Sequence, residues 1–434
     1  MEKITLTEEQ QSAFDALRDF AEGRTGAALA VLEGFAGTGK TTVVAELLGA
    51  LAGLCVACMA PTNKAVAVLQ AKAAGNAEFG SVHSFLGLRL TENEDGTQKC
   101  LPEGRCTLHD YDFAIVDECS MVSESLFREI VQSKRGCRVL FVGDPAQLPP
   151  VEDGKESPVF RMIANKQRLV NIVRQAAENP IIAASLVVRR DIEAARRACI
   201  ADLVEAFGPP PSSAGVMSGG MESIIAVLIS EHAAGRQCRG IAWTNPSVIE
   251  INRRVHGALF PGCATPFAVG ESVIAQSEFR SMKEGDFRSA RVFNSEEMMV
   301  QSIEPANHPS YPLIPSLRVT LRRDSEQDVT VFIPENEREV QRRISLLWND
   351  YRAAKRNGDR DAKNKSNKAW DLTRAFAPIR HVYAMTAHKS QGSTFDTALL
   401  YWDDMMRQRS DFEFNRMIYV AMTRAAKFMA IVTE

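Results

Sequence analysis

The sequence predicts an α/β protein of two parallel-sheet lobes, with a β-hairpin inserted in the first lobe and a small β-barrel plus helical subdomain inserted in the second. Short apolar runs alternate with helical patterns through the first half, as in a parallel sheet covered by helices. The alternation returns at Arg239–Thr244 and again from Val382 onward. Between them, Phe267–Ile333 shows short β segments with turns and prolines, which indicates a barrel-like module.

In the first lobe, four apolar runs are expected to form buried parallel strands: Ala27–Glu33, Leu54–Ala60, Phe113–Asp117 and Arg138–Val142. The alternation breaks between Phe85 and Asp110, where LRLTENEDGTQKCL indicates two short strands around Asp95-Gly96, a dipeptide typical of hairpin turns. We therefore expect a hairpin within 85–110, inserted into a lobe formed by 1–84 and 111–178.

The second lobe follows GPPPSSAGVMSGG, Gly208–Gly220, which is expected to be a loop or linker. Glu335–Trp370 has a charged helical pattern, and Arg342–Arg374 carries ten Lys or Arg against four Asp. A solvated helical face is the favoured interpretation of that excess. We expect the second lobe at 179–245 and 378–434, split by an SH3-like β module plus a helical arm at 246–377.

Composition narrows the class of protein. Hydrophobic residues make up 45% and charged residues 24% of 434 residues, as in a globular chain of two to four domains. No run of about 18 apolar residues occurs, and MEKITLTEEQ does not resemble a signal peptide, so a cytoplasmic protein is expected. Nine scattered cysteines favour reduced thiols over a disulfide framework. Cys55-x-x-Cys58 lies in an apolar run without a second pair, so buried thiols are expected there and no zinc site.

The strongest motif is Gly34-Phe35-Ala36-Gly37-Thr38-Gly39-Lys40-Thr41, a Walker A loop between an apolar strand and a helix. Its glycines let backbone N–H groups curl around phosphates at a helix N-terminus. Lys40 is expected to neutralise phosphate oxygens, and the Thr41 hydroxyl is expected to bind Mg²⁺. The motif therefore predicts a nucleoside triphosphate site.

Two acidic residues, Asp117-Glu118, close the apolar run that begins at Phe113. Since the carboxyl ends of parallel strands meet at one edge of a sheet, both carboxylates are expected beside the phosphate loop. Asp117 would hold Mg²⁺, and Glu118 would orient and deprotonate the attacking water. Gln147, after the next strand, could hydrogen-bond the γ-phosphate or its water.

The ordered set of motifs resembles superfamily 1 helicases of class B, the group that contains RecD and the compact Dda helicases of T-even phages. The matching segments are Leu6–Gln10 (the Q motif), Ala60–Ala65 (motif Ia), Ser81–Phe85 (Ib), Asp117–Ser120 (II), Gly143–Pro150 (III), Leu169–Gln175 (IV), Thr386–Ser393 (V) and Tyr419–Ala425 (VI). The forms DECSM, GDPAQLPPV and THKSQG favour class B over class A. Phe35 and Cys119 are departures, since many relatives have proline and alanine at those positions.

The resemblance implies RecA-like folds for both lobes and an ATP-dependent DNA helicase that moves 5′ to 3′ on single-stranded DNA, with ATP and Mg²⁺ as cofactors. It implies a monomer of a bacterial or phage-infected cell that acts on single-stranded and forked or tailed duplex DNA, with replication or recombination proteins as candidate partners. Gln10 is expected to contact the adenine edge. The nucleotide-binding set is Gln10, Gly34, Phe35, Ala36, Gly37, Thr38, Gly39, Lys40, Thr41, Thr42 and Gly392.

Arginines and strand contacts complete the expected site. Arg174 and Arg424 would act as arginine fingers on the γ-phosphate. The expected nucleic-acid contacts are Pro61, Thr62, Asn63, Lys64, His83, Phe85, Thr386, His388, Lys389 and Ser390. For His83 and Phe85, packing in the core is the competing interpretation. The hairpin around Asp95-Gly96 is either the pin that splits the duplex or an ordinary surface hairpin, and the sequence favours neither.

Two other functions stay open from sequence. An RNA-directed motor fits as well, since backbone and stacking contacts discriminate DNA from RNA weakly unless the 2′-OH is contacted. A translocase or switch that uses ATP without separating strands also fits. A fused nuclease is disfavoured, because the motor motifs fill the chain and no compact His/Asp metal cluster stands out.

Overall fold

The computed structural model describes residues 5–72, 77–92, 98–102, 104–172, 179–209, 213–281, 289–324 and 328–434. The chain separates into two compact units. One contains the chain up to Ile251 together with Ala384–Glu434, and the other is Asn252–Tyr383. Both parallel sheets expected from the sequence lie in the first unit. None of the described helices is long and apolar enough to cross a membrane.

The described strands and helices follow one another as the alternating pattern predicts. The strands are β1 (Leu29–Gly34), β2 (Val56–Ala60), β3 (Ala77–Ser81), β4 (Leu88–Glu92), β5 (Gln98–Pro102), β6 (Phe113–Val116), β7 (Arg138–Gly143), β8 (Lys166–Leu169), β9 (Ala214–Ser218), β10 (Cys238–Ala242), β11 (Ser272–Ala275), β12 (Phe279–Arg280), β13 (Arg291–Val292), β14 (Glu297–Pro305), β15 (Ser316–Arg323), β16 (Asp328–Pro334), β17 (Ile379–His381), β18 (Ala384–Thr386), β19 (Phe395–Tyr401) and β20 (Ala425–Thr433). The helices are α1 (Glu8–Ala21), α2 (Lys40–Ala50), α3 (Asn63–Lys72), α4 (Val82–Phe85), α5 (Glu124–Ser133), α6 (Pro158–Met162), α7 (Pro180–Glu193), α8 (Ile200–Phe207), α9 (Gly220–Ala233), α10 (Asn245–Leu259), α11 (Glu337–Arg356), α12 (Ala362–Ala375), α13 (Ala387–Ser390), α14 (Trp402–Met405) and α15 (Asp411–Met422).

The first sheet has the order β3-β2-β6-β7-β1-β8, and its neighbouring strands pair in parallel. Successive residues of its strands pack into two hydrophobic cores, one on each face of the sheet. Val31 and Phe141 pack on one face, and Leu32 and Leu140 on the other. Burial on both faces explains why the central strands β1, β2, β6 and β7 are largely apolar rather than alternating. The carboxyl ends of β1, β2, β6 and β7 therefore bring four of the motif loops to one edge.

The second sheet has the order β18-β10-β19-β20-β9 and is also parallel. Its edge strand β9 corrects the expectation of a loop throughout Gly208–Gly220, because Ala214–Ser218 pairs with Met429–Thr433 of β20. Only Ala214 of this strand is buried. This short edge strand contains a glycine and follows a Pro- and Ser-rich stretch, so its own sequence gives a weak strand signal and its pairing with β20 makes it a strand.

The inserted hairpin is formed by β4 and β5, which pair antiparallel from Leu88 with Pro102 to Glu92 with Gln98. The predicted turn at Asp95-Gly96 lies outside the described residues. At the base of the hairpin Gly87 has φ +65°, and a Cβ there would lie 2.5 Å from the Gly104 carbonyl oxygen. A residue larger than glycine cannot occupy that crossing without moving the backbone.

The second unit contains an antiparallel sheet with the order β16-β15-β14-β11-β17, so β17 adds an edge strand from outside the predicted Phe267–Ile333. Val319, Leu321 and Val331 are in its core. Among the described residues no ladder joins β16 to β17, although the Ala377 N–H donates to the Phe332 carbonyl at 2.8 Å. The module is thus an open antiparallel sheet rather than the expected small barrel, and the helices α11 and α12 lie between β16 and β17 in the chain.

The expectation that both Cys55 and Cys58 are buried thiols is wrong for Cys55. Cys58 is buried in β2, but Cys55 is exposed, because β2 begins only at Val56. The Cys55 backbone N–H instead donates to the Asp112 carboxylate at 2.9 Å at the amino-terminal edge of the sheet.

Candidate active site and strand interface

The phosphate loop, residues 34–41, turns from β1 into α2 through two left-handed glycines, Gly37 (φ +82°) and Gly39 (φ +84°). The Lys40 ammonium donates to the carbonyls of Gly34 at 2.7 Å and Phe35 at 3.0 Å. Thr38 is buried and donates to the Phe35 carbonyl at 2.9 Å. The loop is therefore held by its own side chains, with Thr41 and Thr42 half-buried in the first turn of α2.

Gln10 ties helix α1 to this loop. Its Oε1 accepts from the Thr7 N–H at 3.0 Å, which completes a capping box, and its Nε2 donates to the Thr38 carbonyl at 2.9 Å. Gln10 is only 4% exposed. The structure thus places Gln10 against the phosphate loop, where it supports the loop's conformation.

The acidic pair ends β6 beside the loop. Glu118 has φ 52°, and its N–H is bonded to the Asp117 Oδ1 at 2.9 Å. Positive φ is uncommon for a non-glycine residue, and such strain tends to occur at functional sites. A Cβ at Gly143, at the end of the neighbouring β7, would lie 2.6 Å from the Cys119 Sγ. Close approach of β7 therefore holds the turn that presents Glu118.

Gln147 follows β7 in the same region. It is 8% exposed, and its Oε1 has no hydrogen-bond partner within the part of the chain that the structure describes. Its N–H donates to the Asp144 carbonyl at 3.1 Å. A buried amide oxygen without a partner is costly, so this atom is suited to accept a hydrogen bond from a bound water or ligand.

Tyr419 connects the second sheet's helix α15 to the first sheet. Its hydroxyl donates to the buried Asp144 Oδ2 at 2.6 Å and accepts from the Ala36 N–H of the phosphate loop at 3.2 Å. Burial raises the pKa of the Asp144 carboxyl, while the charge of Lys40 and the Tyr419 hydrogen bond oppose that rise. The sequence alone predicts no role for Tyr419 or Asp144, although they lie in motifs VI and III and a polar residue within an apolar segment is a usable signal.

Arg424 lies at the end of the same segment and is buried. Its guanidinium donates to the carbonyls of Val420 at 3.0 Å and Ser393 at 3.1 Å, and to the Thr423 hydroxyl at 2.9 Å. Burial lowers the pKa of Arg424, and the negative charge of Glu118 opposes that lowering. Arg424 and Glu118 are therefore close enough for their charges to interact. Arg174 lies outside the described residues.

A second arginine, Arg189 of α7, also reaches the phosphate loop, and sequence analysis missed it. Its guanidinium lies over the Phe35 ring, and Phe35 is 3% exposed. The side chain is also bonded to Glu193 at 3.0 Å. An aromatic residue at position 35 gives α7 a flat surface to pack on, which a proline would supply less well.

The predicted strand-contacting segments share one local design. Each follows the carboxyl end of a parallel strand, and a Ser or Thr hydroxyl accepts from the backbone N–H three residues on: Thr62 from Ala65, Ser81 from Ser84, and Thr386 from Lys389. Such caps leave the neighbouring N–H groups at helix N-termini, which are suited to phosphate oxygens. Pro61, Asn63 and Lys64 are half-buried there, and Lys389 is exposed.

The surroundings of three expected site residues, Phe85, Ser390 and Gly392, bear on their proposed roles. Phe85 is 4% exposed and packs edge-on against Tyr111 in the first core, so the packing interpretation applies and its ring cannot stack on a base here. Ser390 is fully buried and donates to the Ala387 carbonyl at 2.8 Å. A Cβ at Gly392, φ +70°, would contact Ala65 and Thr62, which places Gly392 beside the strand-contacting segment.

His83 and His388 are half-buried, and burial lowers the pKa of both, which favours uncharged imidazoles.

Known proteins with similar sequences are nucleotide-binding domains and DNA helicases, as the phosphate loop leads us to expect. Residues 5–202 match the model of the AAA domain, and 381–432 match the UvrD-like helicase C-terminal domain. The ATP-dependent DNA helicase dda of Enterobacteria phage T4 is 26% identical over 449 residues, which cover 96% of this chain and 97% of the relative. The chain is therefore an ATP-dependent DNA helicase similar to the RecD, Pif1 and Dda enzymes.

Other relatives of this helicase are similar over shorter stretches or in fold alone. The ATP-dependent RecD2 DNA helicase of Deinococcus radiodurans is 37% identical over 191 residues, 42% of this chain and 23% of the relative. The chain thus spans about a quarter of that protein's length. The Bacteroides Pif1 helicase, solved with ADP-AlF3 and ssDNA, has the same fold with a TM-score of 0.53, at 18% identity over 100% of this chain and 93% of that one.

The phosphate loop of this helicase allows a direct test at Gly39. Gly39→Ala would force a side chain into a left-handed backbone and into the Gln10 amide, so nucleotide binding should weaken about 5- to 30-fold, as expected for roughly 1–2 kcal/mol of strain. Gly49 lies in helix α2 with open space around it. Gly49→Ala is expected to leave nucleotide binding unchanged and to raise the free energy of unfolding by about 0.5–1 kcal/mol. Fluorescent nucleotide titration and thermal melting would check both, and equal affinities for the two variants would contradict this view of the loop.

Proposed function

We propose that this chain is an ATP-driven motor that translocates 5′ to 3′ on single-stranded DNA and unwinds duplex DNA. The observation that supports it best is the contact between the two sheets at the phosphate loop. Tyr419 joins the Ala36 N–H to Asp144, and Arg424 lies within electrostatic reach of Glu118. A nucleotide held by residues of both sheets would couple its hydrolysis to their relative position.

For hydrolysis, we assign Lys40 and the loop N–H groups to the phosphates and Glu118 to the attacking water, whose proton it would accept. Gln147, whose buried Oε1 has no hydrogen-bond partner among the described residues, would orient that water. Arg424, with Arg174 as a second candidate, would stabilise the charge that develops in the transition state. Gln10 would contact the adenine edge while holding the loop.

Magnesium fits the donor set at this edge. Asp117 supplies a carboxylate and Thr41 a hydroxyl, and oxygen ligands are the kind that Mg²⁺ prefers. When bound, the ion would neutralise phosphate charge. Asp117 and Thr41 are therefore the proposed metal ligands, at the carboxyl end of β6 and in the first turn of α2.

The strand is proposed to run over the capped segments after β2, β3 and β18. Thr62, Asn63, Lys64, Thr386 and Lys389 would supply backbone and side-chain contacts to phosphates, with Pro61, His83 and His388 beside them. The neutral imidazoles favoured by burial are suited to stacking or hydrogen bonding rather than to charge pairing. Phe85 and the Ser390 side chain are left out because they are buried.

The domain assignment is proposed along the same lines. Residues 1–84 and 111–178 would form the first RecA-like lobe, 179–245 and 378–434 the second, and 246–377 the second insertion. The hairpin within 85–110 is proposed as the pin that separates strands. Its glycine base at Gly87 and Gly104 would hold the two strands at a defined angle to the lobe.

Unwinding of two partial duplexes, one with a 5′ and one with a 3′ single-stranded tail, tests the proposal in the presence of ATP and Mg²⁺. We expect only the 5′-tailed duplex to open. Preference for the 3′ tail would refute the polarity. DNA-stimulated ATPase without opening of either substrate would indicate a translocase or switch, and the pin assignment would then be wrong.

The nature of the strand is tested separately. Since the proposed contacts are mostly to phosphates, ATPase stimulation by poly(dT) and poly(rU) should be compared at one salt concentration, because binding is salt-dependent. We expect stronger stimulation by poly(dT). Stronger stimulation by poly(rU) would identify an RNA-directed motor instead.

A further inference from the structure

A cluster of metal-ligating side chains lies in the Asn252–Tyr383 unit, apart from the residues proposed for hydrolysis. His256 of α10, Glu271 just before β11 and His381 at the end of β17 offer ligand atoms that all lie within 4.8 Å of one another. Among the residues that the structure describes, this is the group that meets such a criterion. Three separate elements thus converge on one point.

The geometry around Glu271 is that of a prepared site. His381 Nδ1 lies 2.7 Å from Glu271 Oε1, and His256 Nδ1 lies 3.0 Å from Oε2. The Glu271 side chain is fully buried, whereas the side chains of His256 and His381 are 14% and 19% exposed. An ion could therefore enter past the imidazoles to reach a carboxylate that solvent does not contact.

Outer contacts hold the carboxylate in position. The Tyr383 hydroxyl donates to Glu271 Oε1 at 2.8 Å, and the Ala268 N–H donates to Oε2 at 2.9 Å. Hydrogen bonds of this kind orient ligating carboxylates in metal sites. The rings of His256 and His381 are 4.7 Å apart and inclined by 32°, with Phe267 4.9 Å from His381. The imidazoles are thereby restricted to the orientation that points both Nδ1 atoms at Glu271.

Charge gives the physical reason for an ion. A fully buried carboxylate is costly unless an opposite charge compensates it. The two imidazoles hydrogen-bond this carboxylate, and a divalent cation would add both opposite charge and ligation. Two nitrogens and one oxygen suit a borderline ion such as Zn²⁺ rather than Ca²⁺ or Mg²⁺, which prefer all-oxygen sites.

We propose that His256, Glu271 and His381 bind one divalent transition-metal ion of the zinc type. Zinc bonds of about 2.0–2.2 Å place tetrahedral ligand atoms roughly 3.4 Å apart. The imidazole Nδ1 atoms need to move only slightly from the Glu271 oxygens, which lie 2.7 and 3.0 Å away, to reach such a spacing. Because His256 and His381 lie near the first and last residues of the unit, the ion would tie the unit's first helix to its last strand. Its role is structural, and it does not depend on the proposed motor function.

Isothermal titration of the chelator-treated full-length chain with Zn²⁺ tests the proposal. We expect one strong Zn²⁺ site in the wild type. The Zn²⁺ affinity should fall by about tenfold to a hundredfold or more in His256→Gln, His381→Gln and Glu271→Gln. His308→Gln is the matched control, since His308 is a buried histidine of the same unit that packs against aromatic rings, and binding should be unchanged. Should a ligand variant fail to fold, Tyr383→Phe, which removes only an outer hydrogen bond, should still weaken binding.

Two further measurements separate this site from adventitious binding to cysteines. Co²⁺ bound at the proposed site should give visible d–d bands without a thiolate charge-transfer band, because its ligands are nitrogen and oxygen. Zn²⁺ should raise the melting temperature of the wild type but not of the ligand variants, since an ion that binds only the folded state stabilises it. Absence of binding to the wild type, wild-type affinity in the ligand variants, or a spectrum dominated by thiolate would overturn the proposal.

Discussion

Lys40→Ala is expected to reduce ATP hydrolysis at least about a hundredfold while leaving single-strand binding largely intact, because it removes a charge that only the nucleotide site uses. The Lys40 ammonium lies at the mouth of the phosphate loop, bonded to the Gly34 and Phe35 carbonyls. The proposed strand contacts lie on other loops. DNA-stimulated phosphate release and fluorescence anisotropy with labelled oligo(dT) would measure the two activities.

A matched control for this change is Lys427→Ala. Lys427 is 73% exposed in its side chain and pairs with Asp396 at the surface, so its removal is expected to alter neither activity. If Lys40→Ala hydrolysed ATP like the wild type, the phosphate loop would not be the catalytic site. If it lost strand binding as well, the separation of the two sites would be wrong.

Arg424→Ala is expected to lower kcat by about 10³–10⁵-fold with little change in KM, as for an arginine finger that acts mainly in the transition state. The residue is buried close to Glu118, and its guanidinium is already oriented by the Val420 and Ser393 carbonyls. Single-turnover hydrolysis with saturating DNA would report kcat without interference from product release.

The same guanidinium also supports its own segment, so a structural explanation needs a control. Arg424→Lys keeps the charge but cannot reproduce the planar fork of donors, and it should remain strongly impaired in kcat. Melting temperature and DNA affinity should stay near the wild type in that variant. Recovery of most activity in Arg424→Lys, or a loss of activity that only follows a loss of folded protein, would remove Arg424 from the proposed catalytic set.

The sheets show which strands could be predicted from the local sequence and which could not. Leu54–Ala60 was predicted as a strand and the structure has Val56–Ala60, because a short continuous apolar run between turn signals is typical of strands buried on both faces. Ala214–Ser218 was missed because an edge strand needs only a partner's backbone, here β20, and no apolar run of its own. The open antiparallel sheet was located by its turns, but its edge strand at Ile379–His381 comes from far along the chain.

The candidate site likewise combines features that the local sequence specifies with contacts that only the tertiary structure specifies. The sequence by itself determined the phosphate loop, since glycine spacing and Lys-Thr at a strand-to-helix turn are local requirements of phosphate binding. It also determined the order of motifs that marks the family. Only the tertiary structure decided that Tyr419 bridges Ala36 and Asp144, that Arg189 lies over Phe35, that Phe85 is a core residue, and that His256, Glu271 and His381 meet. These are contacts between residues far apart in the chain, and nothing in the local sequence specifies which distant side chain packing brings to a given atom.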